Sequence, residues 1–307
     1  MTPWLAYGAL ASSMVLVGSY VGLSKLLVLV FPVFLLAWLR FGIAAVAMLH
    51  WVRRLPGDPP LSARDRRLLF WESFLGNFGF SICMLFGVAA TSALAAGVVM
   101  AAIPATVALM SWAVLGDRIG GRMVAAIGCA VAGIALLALS RGGDAGSGGP
   151  WWGYALLVGA VICEASYVVI GKQLTGQVSP RRISALINLW GLALVTPFGV
   201  WQAMSFDFTA VAPRDWSLLV FYALAASMVS VWLWMRGLQG VPASRAGVFA
   251  VLLPITAAGI GVGWLGEPFG PGHGAALVLA LAGLLLAAWP GRAGPKPVDA
   301  GGGLPGG

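Results

Sequence analysis

Ten apolar runs, each about twenty residues long, divide this chain at short intervals. They fall at about 4–24, 32–52, 67–88, 92–115, 122–140, 151–171, 183–203, 215–236, 243–265 and 272–290. A helix of roughly 20 mainly apolar residues matches the ~30 Å hydrocarbon layer of a bilayer. Composition excludes a water-soluble alternative. Sixty per cent of the residues are hydrophobic and only 9% are charged, against roughly 25% charged in an ordinary soluble domain. That leaves too few polar side chains to coat a soluble fold. Ten spans with short loops also use nearly all of the 307 residues, so no sizeable soluble domain fits. The expected class is all-α integral membrane.

The net charge is +8. No basic face with interleaved aromatics lies outside the spans, so nucleic acid is not an expected partner. The cations instead follow the loops. Arg53, Arg54, Arg64, Arg66, Arg67, Arg118, Arg122, Lys172, Arg181, Arg182, Arg236, Arg245, Arg292 and Lys296 fall on one side of the membrane. Lys25, Arg141 and Arg214 fall on the other, and Arg40 lies within a span. An excess of 14 to 3 makes the first side cytoplasmic and places both termini inside. The N-terminus lacks a basic n-region, so the first run is expected to be a retained helix. Cys83, Cys129 and Cys163 all lie within runs, without metal-ligand spacing, and read as small packing residues.

The two halves of the chain repeat. With an offset of 150, Gly87 falls on Gly237, Gly97 on Gly247, Pro104 on Pro254 and Gly133 on Gly283. Leu115-Gly116-Asp117 falls on Leu265-Gly266-Glu267, and Arg64-Asp65 on Arg214-Asp215. Near the start of each half the offset is 147, pairing Ser19-Tyr20-Val21 with Ser166-Tyr167-Val168 and Lys25 with Lys172. Each half holds five spans, an odd number, so the second half enters the membrane upside down. Two inverted five-helix repeats are a basis for alternating access to a midplane site. The expected organisation is a first repeat over 1–141, a linker over 142–150, a second repeat over 151–290 and a disordered Gly/Pro-rich tail over 291–307. Residues 301–307 also read as a vector-derived scar.

These matched residues resemble the drug/metabolite transporter superfamily, specifically its EamA-type ten-helix carriers. The likeness rests on Arg40-Phe41 in the second span and on Pro104 and Pro254 with their downstream Gly116-Asp117 and Gly266-Glu267. It rests also on the aromatic and lysine pattern of spans one and six, and it covers about residues 3–290. The chain departs from the family at Asp117, where Glu is usual, and at Asn188, where the second half does not repeat Arg40. Within the superfamily the chain looks most like the aromatic amino-acid exporters. The resemblance implies a multi-pass protein of a bacterial inner membrane that exports amino acids, aromatic or otherwise apolar, or related small metabolites.

Polar groups within spans are costly in lipid and are functional candidates by default. Glu164 sits mid-span with Tyr167 three residues on, so the two share a face. Its carboxylate either binds a substrate ammonium, or couples transport to protons, or pairs structurally with a neighbouring helix. Tyr20 is its repeat-related aromatic neighbour. In the third span Ser73, Asn77 and Ser81 recur every four residues, with Phe74 and Phe78 adjoining; in the eighth, Ser227, Ser230 and Trp234 form a related face. These faces either wall a cavity for an apolar or aromatic side chain or hydrogen-bond between helices. The expected substrate-contacting set is therefore Tyr20, Asn77, Phe78, Ser81, Glu164, Tyr167, Ser230 and Trp234. Pro104 and Pro254 are expected to kink their spans and act as hinges. Arg40 reads as structural or as an anion holder, and Lys25 and Lys172 as snorkelling cations. Asp117 and Glu267 read as loop-fixing groups.

Several activities are excluded. The stretch Gly261–Gly266 matches GxGxxG, but it lies in an apolar span with no preceding strand. Its Gly259 and Gly263, like Gly18 and Gly22, are expected to form close-packing faces. No Walker A loop, HExxH or Ser/His set is present, and two isolated histidines make no metal site, so neither a metal nor another cofactor is expected. The remaining readings are an amino-acid exporter, a carrier of a drug-like cation or nucleotide sugar, and an intramembrane lipid-modifying enzyme. Oligomeric state is not legible from these motifs.

Overall fold

In a computed structural model the described residues are 3–53, 60–115, 120–139, 149–174, 179–238 and 247–288. Arg54, Asp117, Arg118, Arg141, Arg245, most of the linker and the whole tail lie outside them, as does the side chain of Lys172. Every regular element among the described residues is helical: α1 (Pro3–Val30), α2 (Val33–Ala47), α3 (Ala63–Glu72), α4 (Phe80–Ala90), α5 (Ala93–Met100), α6 (Ile103–Leu115), α7 (Gly121–Leu139), α8 (Trp151–Leu174), α9 (Pro180–Ala203), α10 (Pro213–Leu224), α11 (Ser230–Leu238), α12 (Leu252–Gly263) and α13 (Pro271–Ala288). Seven helical stretches are long and apolar enough to cross a membrane. Three more, Val33–Ala47, Gly121–Leu137 and Phe249–Gly263, are apolar but shorter. Large apolar side chains such as Val46, Val131 and Val278 are exposed on the outer surface. In water such a surface would aggregate, whereas lipid accepts it. The chain is a multi-pass membrane protein.

Four of the predicted spans are not single α-helices. Between α3 and α4 the backbone widens into a π-helix, Ser73–Gly79, and between α10 and α11 into another, Ala225–Val229. Such inserts change the face that later residues present and are frequent at functional sites. Between α5 and α6 the helix breaks at Ala101–Ala102, and Pro104 follows in the first turn of α6. Proline is tolerated there because a first-turn N–H lacks an intrahelical partner anyway. In the corresponding span of the second half a 3-10 turn, Gly247–Val251, leads into α12, and Pro254 again lies in the first turn. Pro197 also lies inside α9.

Helices pack in pairs where small residues let backbones approach. The largest pairings are α7 with α13, α2 with α9, α4 with α8, α1 with both α11 and α12, and α5 with α12. A Cβ on Gly18 would stand 2.5 Å from the Leu253 carbonyl oxygen, and one on Gly22 2.9 Å from Ile260. The expected counterpart face of Gly259 and Gly263 is not used: both have open space where a Cβ would point. Their helix meets α1 through Leu253, Ala257 and Ile260 instead, with Gly261 turned toward Glu267 and Leu94.

One end of the bundle, where α1 gives way to α2, carries an aromatic cluster. Phe31 packs on Phe206 at 5.7 Å and edge-on to Trp216 at 5.5 Å, and Phe208 completes the ring cluster. The Gln202 side chain accepts from the Leu35 N–H at 2.8 Å in the first turn of α2. Lys25 does not snorkel toward headgroups. Its ammonium donates to the carbonyls of Val88, Ala89 and Thr91 at 2.8, 3.0 and 2.8 Å. These carbonyls end α4 and lack helical partners, and they outcompete a lipid surface for the cation. From the other side, Gly266 adopts φ 67°, a left-handed conformation that glycine takes without strain. The chain then turns back, and the Glu267 carboxylate accepts from the N–H groups of Ala93 and Leu94 at 2.7 and 2.8 Å. The turn between α4 and α5 is thus held by a cation at one helix C-terminus and an anion at the next N-terminus, as the helix dipoles favour.

Candidate substrate cavity

Beside the buried cluster that includes Leu27, Leu35, Met84, Val88 and Leu94, the helices enclose a cavity of about 460 Å³. This falls within the usual range of small-molecule sites, roughly 300–1,000 Å³. Both halves of the chain build it. Tyr20 comes from α1, Arg40 from α2, Glu72 from the last turn of α3 and Asn77 from the π segment that follows. Glu164 and Tyr167 come from α8, Asn188 from α9, and Ser230 and Trp234 from α11. Pro104 and Pro254 lie on its wall where their spans are interrupted.

Arg40 is 5% exposed. One of its terminal nitrogens donates to the Ser81 hydroxyl at 2.9 Å, while Nε has no partner. Its guanidinium lies over the rings of Phe41 and Tyr222 at 4.8 and 5.4 Å, an arrangement that holds a desolvated cation. Asn188 donates to the Phe41 carbonyl at 3.0 Å and leaves its Oδ1 unpaired. Glu164 has no hydrogen-bond or ion-pair partner among the described residues, although it feels the charge of Arg40. Glu72 is 1% exposed and its Oε2 is unpaired. Tyr167 interacts electrostatically with both glutamates. It sits against Gly76, where a Cβ would come within 2.5 Å of its own. The glycine lets the tyrosine lie directly on the π segment. Tyr20 meets Tyr222 edge-on at 5.8 Å, and the Ser13 hydroxyl ties α1 to α11 through the Ser230 carbonyl at 2.8 Å.

Six of the eight expected contact residues therefore line one cavity: Tyr20, Asn77, Glu164, Tyr167, Ser230 and Trp234. Phe78 and Ser81 do not. Phe78 stacks on Phe74 at 5.9 Å within an aromatic row that continues to Phe198, and Ser81 stands behind the cavity as the acceptor for Arg40. Ser73 donates to the Ile187 carbonyl at 2.6 Å. The sequence reading did not single out Glu72, and it noted Asn188 only as the position that does not repeat Arg40. Glu72 is an ionisable residue inside an apolar run, the same signal that singled out Glu164. No three His, Cys, Asp or Glu residues among those described are placed to hold a metal ion.

A multi-pass membrane protein with a polar, charged chamber enclosed by its helices belongs among solute carriers, and comparison with known proteins agrees. A family model described as the EamA-like transporter family matches residues 4–139 and 151–289. The chain belongs to that family; it is a transporter and not an enzyme. It is 35% identical over 266 residues to "Uncharacterized transporter YetK" of Bacillus subtilis (strain 168), covering 86% of this chain and 81% of the relative. A second protein of that organism, "Uncharacterized transporter YwfM", is 32% identical over 135 residues, 44% of either chain. A solved structure titled "Crystal structure of protein" superposes with a TM-score of 0.59 at 17% identity, covering 91% of this chain and 94% of the other. That likeness concerns the fold alone.

Proposed function

We propose that this chain is a secondary carrier exporting amino acids or related small metabolites across a bacterial inner membrane by alternating access. In this reading it has ten crossings in two inverted repeats, 1–141 and 151–290, and both termini are cytoplasmic. The observation that carries the proposal is the cavity itself, where an unpaired carboxylate, Glu164, and a guanidinium, Arg40, face one compartment. An α-amino acid carries the complementary pair of charges. The aromatic rings of Tyr20, Tyr167 and Trp234 suit an apolar side chain, as expected from the resemblance to aromatic amino-acid exporters.

Mirrored contacts support the repeat. Gly87 packs on Leu157, and Gly237 packs on Leu10. Gly133 approaches the Ala276 carbonyl and the Ala280 nitrogen, while Gly283 approaches the Ala126 carbonyl and the Ala130 nitrogen. Every residue in the second pair of contacts is offset by 150 from one in the first. The π segments overlap under that offset as well. In this arrangement the three shorter apolar helices also cross. The tightly held end around Lys25 and Glu267 is the outer gate, and the cavity opens to the cytoplasm. The opposite end brings together Arg181 over Trp51 at 5.9 Å and Arg236 over Trp232 at 5.4 Å, consistent with the excess of cations on that side.

The test is flux of labelled amino acids into proteoliposomes holding the purified chain, with and without a pH gradient. Saturable uptake that unlabelled amino acid competes supports the proposal; a folded protein that moves none of them ends it. A drug-like cation is the second reading, favoured by the presence of two glutamates against one arginine in the cavity. Pro104 and Pro254 are the proposed hinges. Pro254→Ala is expected to slow turnover roughly three- to tenfold while changing substrate affinity less than about twofold, because hinge residues gate movement and do not hold the ligand. Equal losses in both would remove the hinge assignment.

A further inference from the structure

We propose that Glu72 is a second cation subsite, and that the preferred solute is a basic amino acid with a cationic group at each end of an apolar stem. This rests on the amino-acid reading above and narrows it. The cavity holds three charged side chains, Arg40, Glu72 and Glu164, and none is ion-paired with another among the described residues. Two of them are more than nine-tenths buried and keep an unpaired polar atom, Nε of Arg40 and Oε2 of Glu72. A buried carboxylate without a partner costs several kcal/mol, and a second one in a lining that already contains Glu164 needs a separate purpose. The carboxylates are distinct subsites. They come from different helices, Glu72 from the end of α3 and Glu164 from the middle of α8, and both line the cavity and act on Tyr167. Tyr167, three residues after Glu164, is pressed against Gly76, which follows Glu72 by four residues.

An α-amino acid can place its carboxylate toward Arg40 and its ammonium toward Glu164. Its side chain then runs past Tyr167 toward Glu72. An apolar or aromatic side chain ends against a bare carboxylate, which stays unpaired and loses what solvation the cavity had provided. A lysine-like side chain lays methylenes along the tyrosine ring and delivers an ammonium to Glu72. One guanidinium and two carboxylates are the complement of one carboxylate and two cations. Asn77 and Asn188 supply neutral hydrogen-bonding groups on the same walls.

Competition in proteoliposomes containing the full chain tests this, with labelled lysine and unlabelled lysine, leucine, phenylalanine or cadaverine. Lysine is expected to compete at least roughly tenfold better than leucine or phenylalanine, and better than cadaverine, which lacks the carboxylate for Arg40. Glu72→Gln is expected to lower the lysine-to-leucine flux ratio at least roughly tenfold, and Glu72→Asp to restore part of it. Transport of leucine or phenylalanine with lysine excluded overturns the subsite and leaves the carrier reading standing. Absence of flux for every amino acid overturns both. Loss of pH dependence in Glu72→Gln with an unchanged lysine-to-leucine ratio makes Glu72 a proton site and overturns the proposal. The competition series on the unmodified chain needs no variant to fold.

Discussion

Glu164→Gln should reduce substrate flux at least roughly tenfold in a protein that remains folded. The substitution keeps the shape and removes the charge. Because Glu164 has no hydrogen-bond or ion-pair partner among the described residues, neutralising it breaks no internal contact. A structural acid would behave differently, since removing one member of a buried pair costs roughly 3–5 kcal/mol and shows as lost stability. A tenfold loss of flux is about 1.4 kcal/mol of interaction with the solute, modest for one desolvated charge pair. The measurement is initial uptake into proteoliposomes across a range of pH, beside thermal unfolding of the same preparation. Unchanged uptake with an unchanged pH profile would remove Glu164 from the site, and lost stability with proportionate loss of uptake would make it structural.

Lys25→Met should loosen the end of the bundle where α1 meets the turn after α4. Methionine keeps an unbranched stem and removes the ammonium. Three carbonyls at the C-terminus of α4 then lose a charged donor. Hydrogen bonds to charged groups contribute about 1.5–3 kcal/mol each, but the three share one donor and water reaches part of the site, so the expected net loss is about 3 kcal/mol. Thermal unfolding in detergent reads the stability. The conformational effect is read by labelling a cysteine introduced at Phe31, in a background without native cysteines, using a membrane-impermeant maleimide. Under the alternating-access proposal labelling is expected to rise roughly tenfold, since weakening the closed end favours a state open there. Unchanged stability and unchanged labelling would show that the clasp holds nothing shut. Glu267→Gln, which keeps an acceptor for Ala93 and Leu94, should produce the same change to a smaller degree.

Much of the architecture was legible because lipid imposes a simple length rule. Runs of apolar residues near twenty long became helices, and Pro104 and Pro254 marked the places where two spans are interrupted. What failed was the assumption of one uninterrupted period. Ser73, Asn77 and Ser81, four residues apart, were expected on one face. The π segment Ser73–Gly79 widens the helix there, and the three diverge: Ser73 to the Ile187 carbonyl, Asn77 to the cavity and Ser81 to Arg40. Phe78 leaves the cavity for the same reason and joins an aromatic row. The extra residue of a π turn has no composition signature, so periodicity could not expose it. Lys25 was misread differently. A cation near a span end ordinarily reaches water, and only the tertiary fold shows the unpaired carbonyls of another helix within its reach. Gly259 and Gly263 carried a valid small-residue spacing on a side of the helix that meets no neighbour among the described residues.

The reciprocal approach of α7 and α13 limits how this protein can change shape. A Cβ on Gly133 would stand 3.1 Å from the Ala276 carbonyl oxygen, and one on Gly283 2.9 Å from that of Ala126. With backbone set directly on backbone at two levels, neither helix can slide along the other without steric collision, because the flanking side chains would have to climb out of their notches. The two form a fixed post. Under the alternating-access proposal the remaining helices pivot about it, so a cross-link joining α7 to α13 should leave transport intact, whereas one joining α1 to α4 should stall it.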